Sequence, residues 1–203
     1  MKINPTHMQW TRPPRHFTVT EDRVEIVTQP CTDLWQRTYY HFRNDNAPLL
    51  QTETEEEYFS FSFRTNFDSK VRYDQSGVVL YLDSENWLKA AVEYENEKIQ
   101  RLGSVVTNHG YSDWASVDVD ASIKAMWFRL SRRGQDFCIE NSLDGVHFHQ
   151  MRICHMFRAE KKIRFGVYAC SAENSSFTAA FTHLEMTACK WQAHDGQAPD
   201  EEE

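Results

Sequence analysis

Trp87, Lys89 and Glu93 stand at alternate positions of the segment Asn86-Trp87-Leu88-Lys89-Ala90-Ala91-Val92-Glu93-Tyr94. An extended chain turns successive side chains to opposite faces, so Trp87, Lys89, Ala91 and Glu93 share one face, and Leu88, Ala90, Val92 and Tyr94 the other. The second face suits a core. The first joins an indole, an ammonium and a carboxylate, a combination that a strand carries where water or a ligand meets it. The indole offers a flat stacking surface at little entropic cost, although a core tryptophan is the alternative reading of Trp87. Lys89 and Glu93, four residues apart, are separated by ~13 Å along a strand. They cannot pair directly, so each needs a partner from a neighbouring strand or from a ligand.

Two further segments carry candidate groups. Ser112-Asp113-Trp114 follows Asn108-His109-Gly110 and reads as a loop, where Asp113 either meets a ligand or caps backbone amides. Arg129 lies between Phe128 and Leu130 and must point away from the side they bury, toward Glu93 or an anionic ligand. The expectation is that Trp87, Lys89, Glu93, Asp113, Trp114 and Arg129 line one cavity. If the site is catalytic, Glu93 or Asp113 would be the acid/base, with Lys89 or Arg129 stabilising charge. Arg132 and Arg133 fall in a turn and read as solvated.

Specific enzyme signatures are missing. A retaining glycosidase needs two carboxylates ~5 Å apart, and laminarinase-like jelly rolls place them on one strand as Glu-x-Asp-x-x-Glu, which this chain lacks. Glu53, Glu55, Glu56 and Glu57 read as a solvated charge run. No Gly-x-Ser-x-Gly elbow or phosphate loop occurs. His147 and His149 can share a strand face near Cys154 and His155, but without zinc-site spacings. Neither a metal nor a cofactor is expected.

Positioning these groups falls to strands. Phe17–Val19, Arg23–Val27, Tyr58–Arg64 (burying Phe59, Phe61 and Phe63), Gly77–Leu82, the Trp87 segment and Lys98–Val106 read as extended. Asn44-Asp45-Asn46-Ala47-Pro48 reads as a loop, Asp83–Asn86 as a turn and Glu95-Asn96-Glu97 as a hairpin tip. Ala125–Ser131 and Asp136–Ser142 flank the turn Arg132–Gln135. Asp144-Gly145 is a two-residue hairpin signal before His147-Phe148, and Ile163–Ala169 and Ser176–Thr187 close the pattern. Helical spacing is not sustained anywhere, so the chain reads as an all-β antiparallel sandwich. Residues 1–191 are expected to form one such domain, with 1–16 peripheral to it. The segment from Gln192 to Glu203 is read as a disordered acidic tail.

A net charge of −8 over 203 residues, with no Lys/Arg-rich block, argues against nucleic acid and anionic membrane as partners. No apolar run approaches the ~20 residues that cross a bilayer, and the first residues have no apolar core of a secretory signal. The 5 Cys are odd in number, widely spaced and without a CxxC pair, which reads as reduced thiols in a cytoplasmic protein.

Seven motifs then occur in order: Asp74-Gln75-Ser76-Gly77, Glu85-Asn86-Trp87-Leu88-Lys89-Ala90, Glu93-Tyr94, Ser112-Asp113-Trp114, Arg129-Leu130-Ser131-Arg132-Arg133-Gly134, Ser142-Leu143-Asp144-Gly145 and Gly166-Val167-Tyr168-Ala169-Cys170-Ser171. Across roughly residues 55 to 190 the chain resembles the regulation-of-enolase-like conserved-domain family of unknown function. The resemblance implies a concanavalin A-like jelly roll of two antiparallel sheets and little about activity, because sandwich folds host many functions. Related domains are appended to glycoside hydrolases, which makes a carbohydrate the natural ligand expectation. Two classes follow. One is a module binding a carbohydrate or small polar metabolite on the concave sheet face, or a cytosolic regulatory protein with a protein partner. The other is an enzyme acting on a sugar or related polar compound.

Overall fold

In chain order the strands are β1 (Gln9–Thr11), β2 (His16–Val19), β3 (Arg23–Val27), β4 (Leu34–Gln36), β5 (Arg43–Asp45), β6 (Leu49–Thr54), β7 (Tyr58–Phe67) and β8 (Asp74–Asp83). They continue as β9 (Asn86–Tyr94), β10 (Ile99–Asn108), β11 (Tyr111–Asp120), β12 (Ala125–Arg133), β13 (Asp136–Ser142), β14 (His149–His155), β15 (Ile163–Ser171) and β16 (Thr178–Ala188). The computed structural model describes residues 1–192, so the acidic tail beyond Gln192 lies outside the described residues. One 7-stranded antiparallel sheet runs β1-β6-β15-β8-β9-β10-β11, and the other runs β14-β13-β12-β7-β16-β3-β2. Among the described residues the only helical element is one 3₁₀ turn, Pro5–His7. The fold is an all-β jelly roll of two sheets.

The alternation of Tyr58-Phe59-Ser60-Phe61-Ser62-Phe63 decides where the sheets meet. Phe59, Phe61 and Phe63 are buried and face the opposite sheet and their own neighbours. Phe59 and Phe61 stack on Phe165 of the facing sheet at centroid distances of 4.8 and 5.1 Å, and Phe63 meets Phe128 at 6.0 Å. Leu88, Ala90 and Val92 of β9 join this core from the other side. Gly77 is needed where β8 crosses β9: a Cβ there would lie 1.9 Å from the Ala90 carbonyl oxygen.

A second, smaller apolar cluster lies on the outer face of the β8–β9–β10 sheet. Residues 28–48, including the β4–β5 ribbon, fold over that face and place Leu34, Trp35 and Ala47 against Val79, Trp87 and Val105. The cap is pinned through its β4–β5 ribbon by hydrogen bonds and ion pairs. The Gln36 amide donates to Ser112 Oγ at 2.9 Å, and Ser112 and Thr107 share a hydroxyl bond at 2.7 Å. Arg37 and Arg43 both reach Glu85 Oε1, at 3.0 and 3.3 Å.

Two sequence readings change here, that of Ser112-Asp113-Trp114 and that of Arg132. Ser112-Asp113-Trp114 is not a loop but the start of β11, because the turn ends at Gly110 (φ +74) and the chain re-pairs at once with β10. Residues 1–16 carry the edge strand of one sheet: β1 pairs with β6 alone, the Ile3 amide donates to the Leu184 carbonyl at 2.9 Å, and Met8 is buried. Arg132 is not solvated. It is fully buried and donates to the carbonyls of Gly134, Glu56, Ala159 and Lys161 at 2.7 to 3.0 Å, which gives its charge the partners that burial demands.

Candidate ligand-binding site

Cross-strand register builds the site from two rows of residues on the capped face. One row runs Trp114–Val105–Lys89–Val79 across β11, β10, β9 and β8. Another runs Asp118–Arg101–Glu93–Gln75–Cys170 across β11, β10, β9, β8 and β15. Between them lie Gly103, Ala91 and Gly77, whose lack of bulk keeps the face open. Alternation along β9 thus sets Lys89 and Glu93 on one surface with Ala91 between them.

The cap completes a cavity of about 240 Å³. Asp33, Gln75, Lys89 and Glu93 give its polar floor, and Trp35, Tyr40, Phe42, Tyr73 and Trp114 its aromatic walls. Tyr40 and Phe42 are exposed at the mouth, where Glu173 also lies. Lys89 Nζ donates to Asp33 Oδ1 and to Gln75 Oε1, each at 2.9 Å. Gln75 Oε1 also accepts from the Tyr168 hydroxyl at 2.9 Å, and Gln75 Nε2 donates to Glu93 Oε2 at 3.1 Å. The Gln75 amide therefore links the lysine to the glutamate that it cannot reach itself.

The two charged groups end in different states. Burial disfavours the Lys89 ammonium, but Asp33 beside it outweighs that and raises the lysine pKa, so the side chain is a fixed cation. Burial also dominates at Glu93, and Lys89 compensates only partly, which raises its carboxyl to about 7. Glu93 Oε1 is buried with no hydrogen-bond partner among the described residues.

Of the six residues expected to line one cavity, Lys89, Glu93 and Trp114 do so. Trp87 shares their sheet face but lies beneath the cap, fully buried, with Nε1 donating to the Ser84 carbonyl at 3.3 Å. Its ring supports Lys89, whose Nζ lies 5.9 Å from the ring centroid. Asp113 points the opposite way from Trp114, because adjacent residues of a strand cannot share a face, and pairs with Arg152 at 3.0 Å. Arg129 does point away from the core, but from the other sheet. It forms a two-pronged pair with Glu140 at 2.6 Å on each contact and lies 4.1 Å from the Phe148 ring centroid, so it cannot reach Glu93 across the sandwich. His147 and His155 instead contact Asp144 and Asp136, each at 2.7 Å. No group of three or more His, Cys, Asp or Glu side chains placed to hold a metal ion occurs among the described residues.

Asp33, Gln75, Tyr40, Phe42 and Tyr73 were not singled out from sequence. Asp33, Tyr40 and Phe42 arrive from a cap far along the chain, and Tyr73 from the loop before β8. Gln75 had an available signal, since it stands in the first of the seven ordered motifs.

The fold and the capped outer-face pocket together define a concanavalin A-like β-sandwich with one elaborated sheet face. The chain belongs to the family described as protein of unknown function DUF1349, which matches residues 10–189. It is 27% identical over 179 residues to regulation of enolase protein 1 of Saccharomyces cerevisiae, covering 88% of each chain. A crystal structure of a functionally unknown protein from Saccharomyces cerevisiae is similar at a TM-score of 0.84 and 26% identity, over 91% of this chain and 98% of that one. The GH43 protein BlXynB of Bacillus licheniformis is similar at a TM-score of 0.69 and 18% identity, over 89% of this chain but 36% of that one, which speaks to fold alone.

Proposed function

We propose that the protein is a binding module that takes a carbohydrate or small polar metabolite in the pocket between the cap and the β8–β9–β10 face. The observation that carries this is the pairing of an enclosed polar floor with aromatic walls. Hydrogen-bonding groups fixed among flat rings are what a polyhydroxylated ligand requires. Trp114, at the rim and 38% exposed, is the stacking surface. The name of the yeast relative, regulation of enolase, supports a regulatory consequence of occupancy, and the free thiols support a cytoplasmic setting.

The test is a thermal-shift screen across sugars, sugar acids and sugar phosphates, followed by titration calorimetry of the hits. Trp114→Ala should weaken binding at least about tenfold, a loss of ~1.4 kcal/mol, while leaving the melting temperature of the free protein nearly unchanged. Unaltered affinity in that variant would place the ligand elsewhere. Trp87→Ala is the wrong probe, because a fully buried indole reports on folding.

One observation favours an enzyme as the second reading. A carboxyl near 7 is poised for general acid/base work at neutral pH, and Glu93 has that property. Turnover of an aryl glycoside or sugar ester that vanishes in Glu93→Gln, with binding retained, would select this reading.

A further inference from the structure

Among Asp33, Gln75, Lys89 and Glu93, the floor side chains, only Glu93 has a buried oxygen without any hydrogen-bond partner among the described residues. We propose that the pocket's ligand carries a permanent or protonated amine, an ammonium-bearing polar molecule whose cation sits against the Glu93 carboxylate inside the aromatic walls. This rests on the pocket being a ligand site, as proposed above, and adds the ligand's charge.

The nearby cations are already committed. On β9, Lys89 is held by Asp33 and Gln75 at 2.9 Å each. On β10, Arg101 is drawn to Glu95 at 3.1 Å and Asp118 at 3.6 Å, although it is the cross-strand partner of Glu93. From β15, Tyr168 and Cys170 are neutral, since burial raises both well above their usual values. The preceding loop adds Tyr73, another neutral ring raised by burial. Glu93 therefore has one hydrogen bond, from Gln75 Nε2, on one oxygen and none on the other. Asp33, Glu93 and Glu173 line the cavity against Lys89 alone, so once Lys89 and Asp33 cancel, the remaining charge is negative.

The walls agree with this sign. Aromatic faces attract cations, by about 0.5–2 kcal/mol each according to solvation, whereas they offer nothing to a carboxylate or phosphate. Tyr40, Phe42, Tyr73 and Trp114 surround the space that Glu93 addresses. A cation placed there lies against the Glu93 carboxylate and the aromatic rings at once. A neutral polyol can donate a hydroxyl hydrogen to the ionised carboxylate or accept from the protonated acid, but in neither state does it gain the charge attraction that a cation gains.

Charge and pH dependence together separate these alternatives. A cation selects ionised Glu93, so its affinity rises as pH passes upward through the free carboxyl's pKa. A neutral ligand using the acid as a donor loses affinity over the same range. Suitable probes keep their charge throughout: choline against its neutral isostere 3,3-dimethylbutan-1-ol, and N-methylglucamine against sorbitol.

Titration calorimetry of the full chain at about pH 6 and 8 should show the charged member of at least one pair binding about tenfold or more tighter than its isostere at the higher pH. That affinity should rise several-fold from the lower pH to the higher, and Glu93→Gln should erase both effects while retaining the wild-type circular dichroism spectrum. Equal binding of the two members, tightening toward low pH, or hits confined to neutral and anionic sugars would overturn the charge assignment and leave the pocket's role standing. Failure of every probe and every member of the sugar screen to bind would overturn both.

Discussion

Glu93 is the side chain least well served by its surroundings, and its effect on stability has a definite sign. Burial raises the folded carboxyl to about 7, against a reference value of ~4.3 in an unfolded chain. Well below the unfolded value both states are protonated and Glu93 contributes its full share to stability. As pH rises through and past the folded value, the unfolded chain has released its proton more readily, and that share is lost. Glu93→Gln removes the ionisation. Urea denaturation should find the variant more stable than the wild type by on the order of 1–3 kcal/mol near pH 8, with the gap shrinking toward pH 4. A constant gap across that range would mean that Glu93 ionises freely in the folded protein. The neighbouring Lys89 shows the contrasting case, a buried charge stabilised because Asp33 and Gln75 were positioned for it.

At the scale of elements, the crossing of β8 and β9 is where the sandwich tolerates least. The ideal Cβ of an alanine at position 77 would fall 1.9 Å from the Ala90 carbonyl oxygen, so the two strands would have to separate just beside Gln75 and Lys89. Gly77→Ala should cost about 3 kcal/mol or more, or prevent soluble expression. Gly134 is the control. It occupies a left-handed turn at φ +58 with nothing within 4 Å of an added Cβ, so Gly134→Ala should cost only about 1 kcal/mol of backbone strain. Comparable losses from both would mean that β8 and β9 can part without penalty. The cap is the other decisive element. Arg37, Tyr39 and His41 all take positive φ (57°, 62° and 63°), a conformation unfavourable for residues with side chains. The Arg37–Glu85 and Gln36–Ser112 contacts hold that loop over the pocket.

For the whole molecule, the thiols give a direct check. Cys138 and Cys170 are buried, Cys31 is exposed, and none of the 5 Cys is in a disulfide. Under denaturing, non-reducing conditions all 5 should react with a thiol reagent, whereas in the native protein Cys31 should react fastest and Cys138 and Cys170 should stay protected. Recovery of fewer thiols after denaturation would expose a disulfide. Identity of the sheet faces was legible from the chain alone: period-2 alternation placed Phe59, Phe61 and Phe63 inward and set Lys89 and Glu93 on a common outer face, because that property belongs to one strand. Assignment of strands to sheets was not legible. Arg129 reads correctly as pointing out of the core, yet β12 lies in the opposite sheet, and a local pattern carries no information about which sheet a strand joins. Asp113 failed for a simpler reason, since a segment read as a loop proved to be paired β11 and so turned it away from Trp114. The sequence by itself determined an all-β sandwich and the polar, aromatic character of one face of β9. It took the folded arrangement to bring Asp33 of the cap to Lys89 and to leave Glu93 Oε1 buried without a partner among the described residues, because partners for buried charges are set by contacts between residues remote in the chain.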